Sequence, residues 1–216
     1  MTVISTANPS VETASIIAEF GGQATQSVDL MIGIGSVKDS EAVYFQYVGE
    51  KQTVALMDQA GKPVSRIGQV QLTGLTIVDD VYADTGFSGS KLNVLLETQR
   101  GSTVMLTSGL VTIWSQCLMT CLMGLFESES LNSVISIDTW KGTSKMKPCF
   151  AAVRNNGAKV TSNEMYTALT EARSDKDKAK TDALMRDAVE MINTALSVPT
   201  STTVIQAVVV EEAKDF

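Results

Sequence analysis

The segment Leu110 to Phe126, "LVTIWSQCLMTCLMGLF", constrains this chain more than any other. Leu110, Ile113, Trp114, Cys117, Leu118, Cys121, Leu122 and Leu125 recur at the i, i+3, i+4, i+7 spacing of one broad helix face. Thr112, Ser115, Gln116 and Thr120 interrupt it, so it falls short of the roughly 20 consecutive apolar residues a membrane span needs. It reads as one well-buried helix.

Strand patterns lie on both sides of it. Before it come "AVYFQYVG", "KQTVALMD", a turn at "QAGKP", the long run "VSRIGQVQLTGLTIVDDVY", then "SKLNVLLETQ", a turn at "RG", and "STVMLTSG". Period-two alternation is clearest in Val70, Leu72, Gly74, Thr76 and Val78. After it come "SVISIDTWKG" and "MKPCFAAVRNNGAKV", with "NNG" a tight-turn signal. Several strands, one helix and more strands is the order of a small OB-like Greek-key β-barrel. The expected class is therefore mainly β with helices. A β-sandwich with a helical crossover and a β-rich module of viral particles are the competing architectures.

The flanks divide the chain further. Residues 1–37 carry no Lys or Arg and hold a short helix candidate, with Asn8 as N-cap, Pro9 at its first position and Gly21-Gly22 as its stop. We read them as an N-terminal arm, residues 38–163 as the OB-like barrel, 164–198 as a helical extension, and 199–216 as a tail with an acidic tip. In the extension Ala183, Leu184, Ala188, Met191, Ile192 and Leu196 form an apolar stripe. In the tail, "VIQAVVV" reads as a strand that needs a partner.

Composition excludes several chemistries. The chain has no histidine, which removes His-based acid–base work, Ser-His and Cys-His nucleophile pairs and the commonest zinc ligand. Neither G-x-x-x-x-G-K-[ST] nor G-x-G-x-x-G occurs; "GIGSV" at Gly33 to Val37 is a fragment of such patterns. Cys117, Cys121 and Cys149 read as small buried thiols. Asp79, Asp80 and Asp84 in "VDDVYAD" could hold a divalent cation through oxygen ligands, but read more simply as an acidic turn. No enzyme and no cofactor is expected. The N-terminus lacks a basic region followed by an apolar block, so a cytoplasmic location without membrane attachment is the expectation.

Net charge is −7, which taken alone argues against a polyanionic partner. Its distribution reverses that. Thr139 to Asn163 holds Lys141, Lys145, Lys147, Arg154 and Lys159 without one acid, interleaved with Trp140 and Phe150. Cations track phosphates while aromatic faces stack bases, and duplex DNA hides those faces, so the combination selects single strands. Tyr44, Tyr47 and the loop aromatic Phe87 are further stacking candidates. Lys51, Lys62, Arg66, Lys91 and Arg100 could extend the basic strip. The plainer reading puts Trp140 and Phe150 in the core with the lysines as a solvated rim.

The chain ends in "EEAKDF". Strands, one helix, strands, a basic-aromatic segment in an acidic chain and an Asp-Phe terminus together resemble single-stranded-DNA-binding proteins of bacteria and bacteriophages. The resemblance covers Glu41 to Val160 by architecture and Glu211 to Phe216 by tail chemistry. It implies sequence-independent single-stranded DNA binding in replication, recombination and repair, in a bacterial or phage-infected cell. It also implies that Phe216, Asp215, Glu212 and Glu211 dock on partner proteins. The helical material from Asn163 to Val198, which departs from that family, reads as an oligomerisation or docking element, so a homo-oligomer is a further expectation. The tail here is short, and no long Gly/Pro/Gln-rich linker precedes it. A structural or assembly protein, using the β-domain and its appendages for intersubunit contacts, is the alternative.

Overall fold

The computed structural model describes residues 28–35, 40–49, 52–79 and 89–197. Along the chain run β1 (Leu30–Ile34), β2 (Tyr44–Gly49), β3 (Gln52–Ala55), β4 (Arg66–Val78), β5 (Lys91–Thr98), β6 (Thr103–Gly109), α1 (Ile113–Glu127), β7 (Ile135–Lys141), β8 (Cys149–Asn155), β9 (Ala158–Val160), α2 (Asn163–Ser174) and α3 (Lys178–Ser197). The strands form one mixed sheet in the order β3-β2-β1-β6-β5-β4-β7-β8-β9. It consists of three consecutive three-stranded meanders. The first joins the second through β1 and β6, which run parallel with Met31 opposite Met105. The second joins the third through the antiparallel pair β4 and β7.

Local chemistry sets these elements. The β8–β9 turn is Asn156-Gly157 with positive φ at both residues (49° and 80°), the backbone that suits a two-residue hairpin and that Asn and Gly tolerate best. In the β3–β4 turn the Asp58 carboxylate accepts from the backbone N–H groups of Ala60 and Lys62. Helix α1 begins at Thr112, whose hydroxyl accepts from the Ser115 N–H.

The apolar face of α1 is covered from both sides. One side packs on β8 and β9, the other on α2 and α3, so Trp114, Leu118, Met119, Leu122 and Leu125 are all buried. Met165 and Leu169 of α2 and Met185, Val189 and Ile192 of α3 join the same core. Helices α2 and α3 are thus bound into the body of the fold. Among the described residues, no helix is long and apolar enough to cross a membrane.

Two expectations about the architecture change. The sheet is open: β3 and β9 are its edges, where a closed OB-like barrel was expected. The two edge strands are short, four residues in β3 and three in β9, and no ladder joins them; within the sheet the N-terminal part of β4 pairs with β7 while Val70 onward pairs with β5, with the register broken between Ile67 and Val70. Farther along β4, Asn193 of α3 takes the place of a neighbouring strand, accepting from the Leu75 N–H at 2.9 Å and donating to the Leu75 carbonyl at 2.7 Å. The second change is β1. Leu30–Ile34, inside the segment read as an arm, is an interior strand of the sheet. The proposed helix after Asn8 and the "VIQAVVV" run lie outside the described residues.

Although open, the sheet curls back on itself. The Trp114 indole N–H donates to the Thr139 hydroxyl at 2.9 Å, and the Tyr44 and Thr139 hydroxyls are 2.6 Å apart. This buried trio ties β2 and α1 to β7. Nearby, the Cys149 thiol and the Lys141 ammonium donate to the carbonyls of Gly35 and Ser40.

Candidate nucleic-acid interface

Alternation along β7 decides which groups reach the outer face, the one turned away from α1. Ile135, Ile137 and Thr139 are buried inward, which sends Ser136, Asp138 and Trp140 outward. Register with β8 places Phe150 opposite Trp140, Ala152 opposite Asp138 and Arg154 opposite Ser136. From the other side β4 brings Arg66 opposite Asp138. Two aromatic rings and two guanidiniums therefore share one face.

Trp140 is 44% exposed and stacks on Phe150, with ring centroids 5.9 Å apart and planes 15° from parallel. Residue 142 has to be glycine for this: a Cβ there would lie 2.7 Å from the Phe150 ring. The loop beyond it presents Lys145, Met146 and Lys147 to solvent, Met146 at 86% exposure. The Lys147 ammonium is 4.0 Å from the Glu41 carboxylate.

Asp138 sits between the arginines. Arg66 grips it through Nε and Nη2, and the Arg154 Nε donates to it at 2.7 Å, while the Arg154 Nη1 donates to the Gly157 carbonyl at 3.2 Å. Hydrogen bonding from Arg66, then from Arg154, holds the Asp138 carboxyl below its ordinary value of 3.8, with burial opposing. Asp79 is lowered likewise by Arg186 of α3 and by Ser90. A depressed carboxyl stabilises the fold above its unfolded-state value, and that contribution is lost as pH falls through the folded-state value. We expect the urea midpoint of the native chain to drop more steeply below about pH 4 than that of an Asp79→Asn/Asp138→Asn variant. Parallel acid limbs would show that the arginine pairs carry no such linkage.

The structure brings together only part of the expected set. Trp140, Phe150, Arg154, Lys145 and Lys147 stay in one region. Lys141, next to Trp140, is turned by the alternation to the opposite side and bonds to Ser40. Lys159 is exposed but lines a cleft against α1 and α2. Tyr44 is fully buried in the trio with Thr139 and Trp114, and that burial raises the pKa of its phenol; it cannot stack a base. Tyr47 packs with Val28, Met31, Met105 and Leu95 in a second, smaller apolar cluster. Phe87 and Glu211, Glu212, Asp215 and Phe216 lie outside the described residues, as do Asp80 and Asp84. Among the described residues no group of three or more Asp, Glu or Cys could hold a metal ion.

Two members of the face were not singled out from the sequence: Asp138 not at all, and Arg66 only as one of several scattered cations. The signal was present, since Asp138 stands two residues before Trp140, on the same side of a strand. Comparison of the chain with family models, with curated proteins and with solved structures finds no match.

Proposed function

We propose that this chain is a non-enzymatic, sequence-independent binder of single-stranded DNA, which lies across the outer face of β4, β7 and β8. One observation carries the reading: an exposed tryptophan stacked on a phenylalanine, beside two arginines and a two-lysine loop. A duplex offers its phosphates but hides the base faces that Trp140 would stack. Stacking on an aromatic face and neutralisation of phosphates carry no sequence information, and both guanidiniums are already engaged by Asp138, so the binding is expected to be indifferent to sequence. The reading needs no closed OB barrel. Replication, recombination or repair in a bacterial or phage-infected cell, with Phe216 and its neighbouring acids recruiting partner proteins, belongs to the same proposal.

Fluorescence anisotropy of labelled oligo-dT at several salt concentrations, with a duplex of equal length as control, tests it. Tight, salt-sensitive single-strand binding with weak duplex binding is the expected result. Replacing Lys145 and Lys147 by Gln should flatten the slope of log affinity against log salt by about 0.7 for every phosphate that is no longer neutralised. A slope that stays the same would exclude that loop from the site.

An assembly protein is the second reading, favoured by the opposite end of the sheet. Edge strand β3 has no neighbour on its outer side among the described strands. Around it Val48, Val54 and Met57 are exposed at 49%, 56% and 49%. Such an edge accepts a strand from another copy. Large, regular particles in light scattering, without affinity for oligo-dT, would favour assembly over DNA binding.

A further inference from the structure

The cleft that takes up Lys159 lies between α1, α2 and β9 and has a volume of about 110 Å³. Its walls combine Cys117 and Cys121 of α1 with Tyr166, Leu169 and Arg173 of α2, and Lys159 enters from β9. In a chain of net charge −7, two cations line this cleft and no carboxylate does. Both cations are exposed, and the structure gives neither an ion pair among the described residues. The Arg173 guanidinium makes one bond, to the Thr170 hydroxyl at 3.2 Å. The Lys159 charge is close enough to act on the Cys121 thiol inside the cleft. Leu169 and Cys121, by contrast, are buried.

We propose that this cleft binds a small carboxylate of a few carbons, its charge met by Lys159 and Arg173 and its short apolar chain lying against Leu169 and Cys117. Size supports the choice: about 150 Å³ of dry cavity accommodates benzene, so the space here suits a ligand of up to about six heavy atoms, the size of propionate or butyrate. Polarity supports it as well. A guanidinium presents two parallel N–H groups to a carboxylate, and although Gln116, Thr120 and Thr161 also line the cleft, the part of its wall built by Cys117, Ala151 and Leu169 disfavours a ligand that is polar on every side. Inorganic phosphate is polar on every side; propionate or butyrate is not. The proposal stands apart from single-strand binding, because it involves a different surface and is tested without nucleic acid.

Cys117 supplies the readout, being half-buried in the cleft wall where Cys121 and Cys149 are buried. Iodoacetate is itself a small carboxylate: the Cys117 sulfur attacks its methylene carbon, an S–C bond forms as the C–I bond breaks, iodide leaves, and the thiol proton goes to solvent. Iodoacetamide is its uncharged counterpart. The full chain is treated with each reagent, and modification of Cys117 is followed by peptide mass mapping. We expect the iodoacetate-to-iodoacetamide rate ratio to be about tenfold higher in the native chain than in Lys159→Gln/Arg173→Gln, the factor that 1.4 kcal/mol represents. Millimolar butyrate should slow the labelling of Cys117 in the native chain, and equal inorganic phosphate should not. Both substitutions are at exposed positions, and the Arg173→Gln single variant gives an intermediate ratio if the two cations act together. Equal ratios in native and doubly substituted chains, or equal protection by phosphate and butyrate, would overturn the proposal.

Discussion

Replacing Trp140 by alanine is expected to weaken oligo-dT binding by about 1 to 3 kcal/mol, roughly 5- to 150-fold in Kd, at one fixed salt concentration. The effect is large because Trp140 offers the most open aromatic face of the site, 44% exposed, while Phe150 beneath it is half-buried. Trp140→Phe should retain much of the affinity, since a smaller ring still stacks. Phe150→Ala should cost less directly, by removing the support that holds the indole in place. Because Trp140 points outward, its loss leaves the core untouched, and the unfolding midpoint serves as control. A folded Trp140→Ala chain that binds as tightly as the native one would remove this face from the site.

Trp114→Ala, the other tryptophan, is expected to lower stability by about 3 to 5 kcal/mol, the range for truncating a large buried aromatic. Its side chain is 1% exposed, and its indole donates to Thr139. Truncation therefore opens a cavity and also takes a donor from the buried hydroxyl pair of Tyr44 and Thr139. Trp114→Phe separates the two effects: it keeps most of the apolar volume and loses a bond worth about 1 kcal/mol. Urea unfolding measures both variants. A Trp114→Ala midpoint no lower than that of Trp140→Ala would contradict the role given to the trio. The two tryptophans are also linked, because Thr139 held inward by Trp114 sends its neighbour Trp140 outward.

Sequence period revealed the buried helix, the hairpin turns and most strands, because these depend on neighbours within a few residues. It did not reveal β1. Leu30–Ile34 lies inside the sheet and pairs in parallel with β6, and a strand buried on both faces lacks the apolar–polar alternation that marks a half-exposed one. Nor did it reveal that the sheet stays open, since whether the edge strands β3 and β9 meet depends on contacts distant in sequence. Of the candidate residues, the structure groups only part on one face. A block of cations along a strand is not a patch, because alternation separates Trp140 from Lys141 and sends them to opposite sides. Arg154, one cation of the acid-free block, is held by Asp138, one residue outside that block. Tyr44 had the right chemistry for stacking but faces the core.

The parallel pairing of β1 with β6 also sets an order of events during synthesis. Met31 cannot meet Met105 until β4, β5 and the first residues of β6 have been made, so the first meander waits with its Leu30–Ile34 edge uncovered. Contacts this distant in sequence slow folding, and unpaired apolar edges are where nascent chains aggregate. Expression at lower temperature or with added chaperone should therefore raise the soluble yield of this chain more than it would for a fold built from neighbouring hairpins alone.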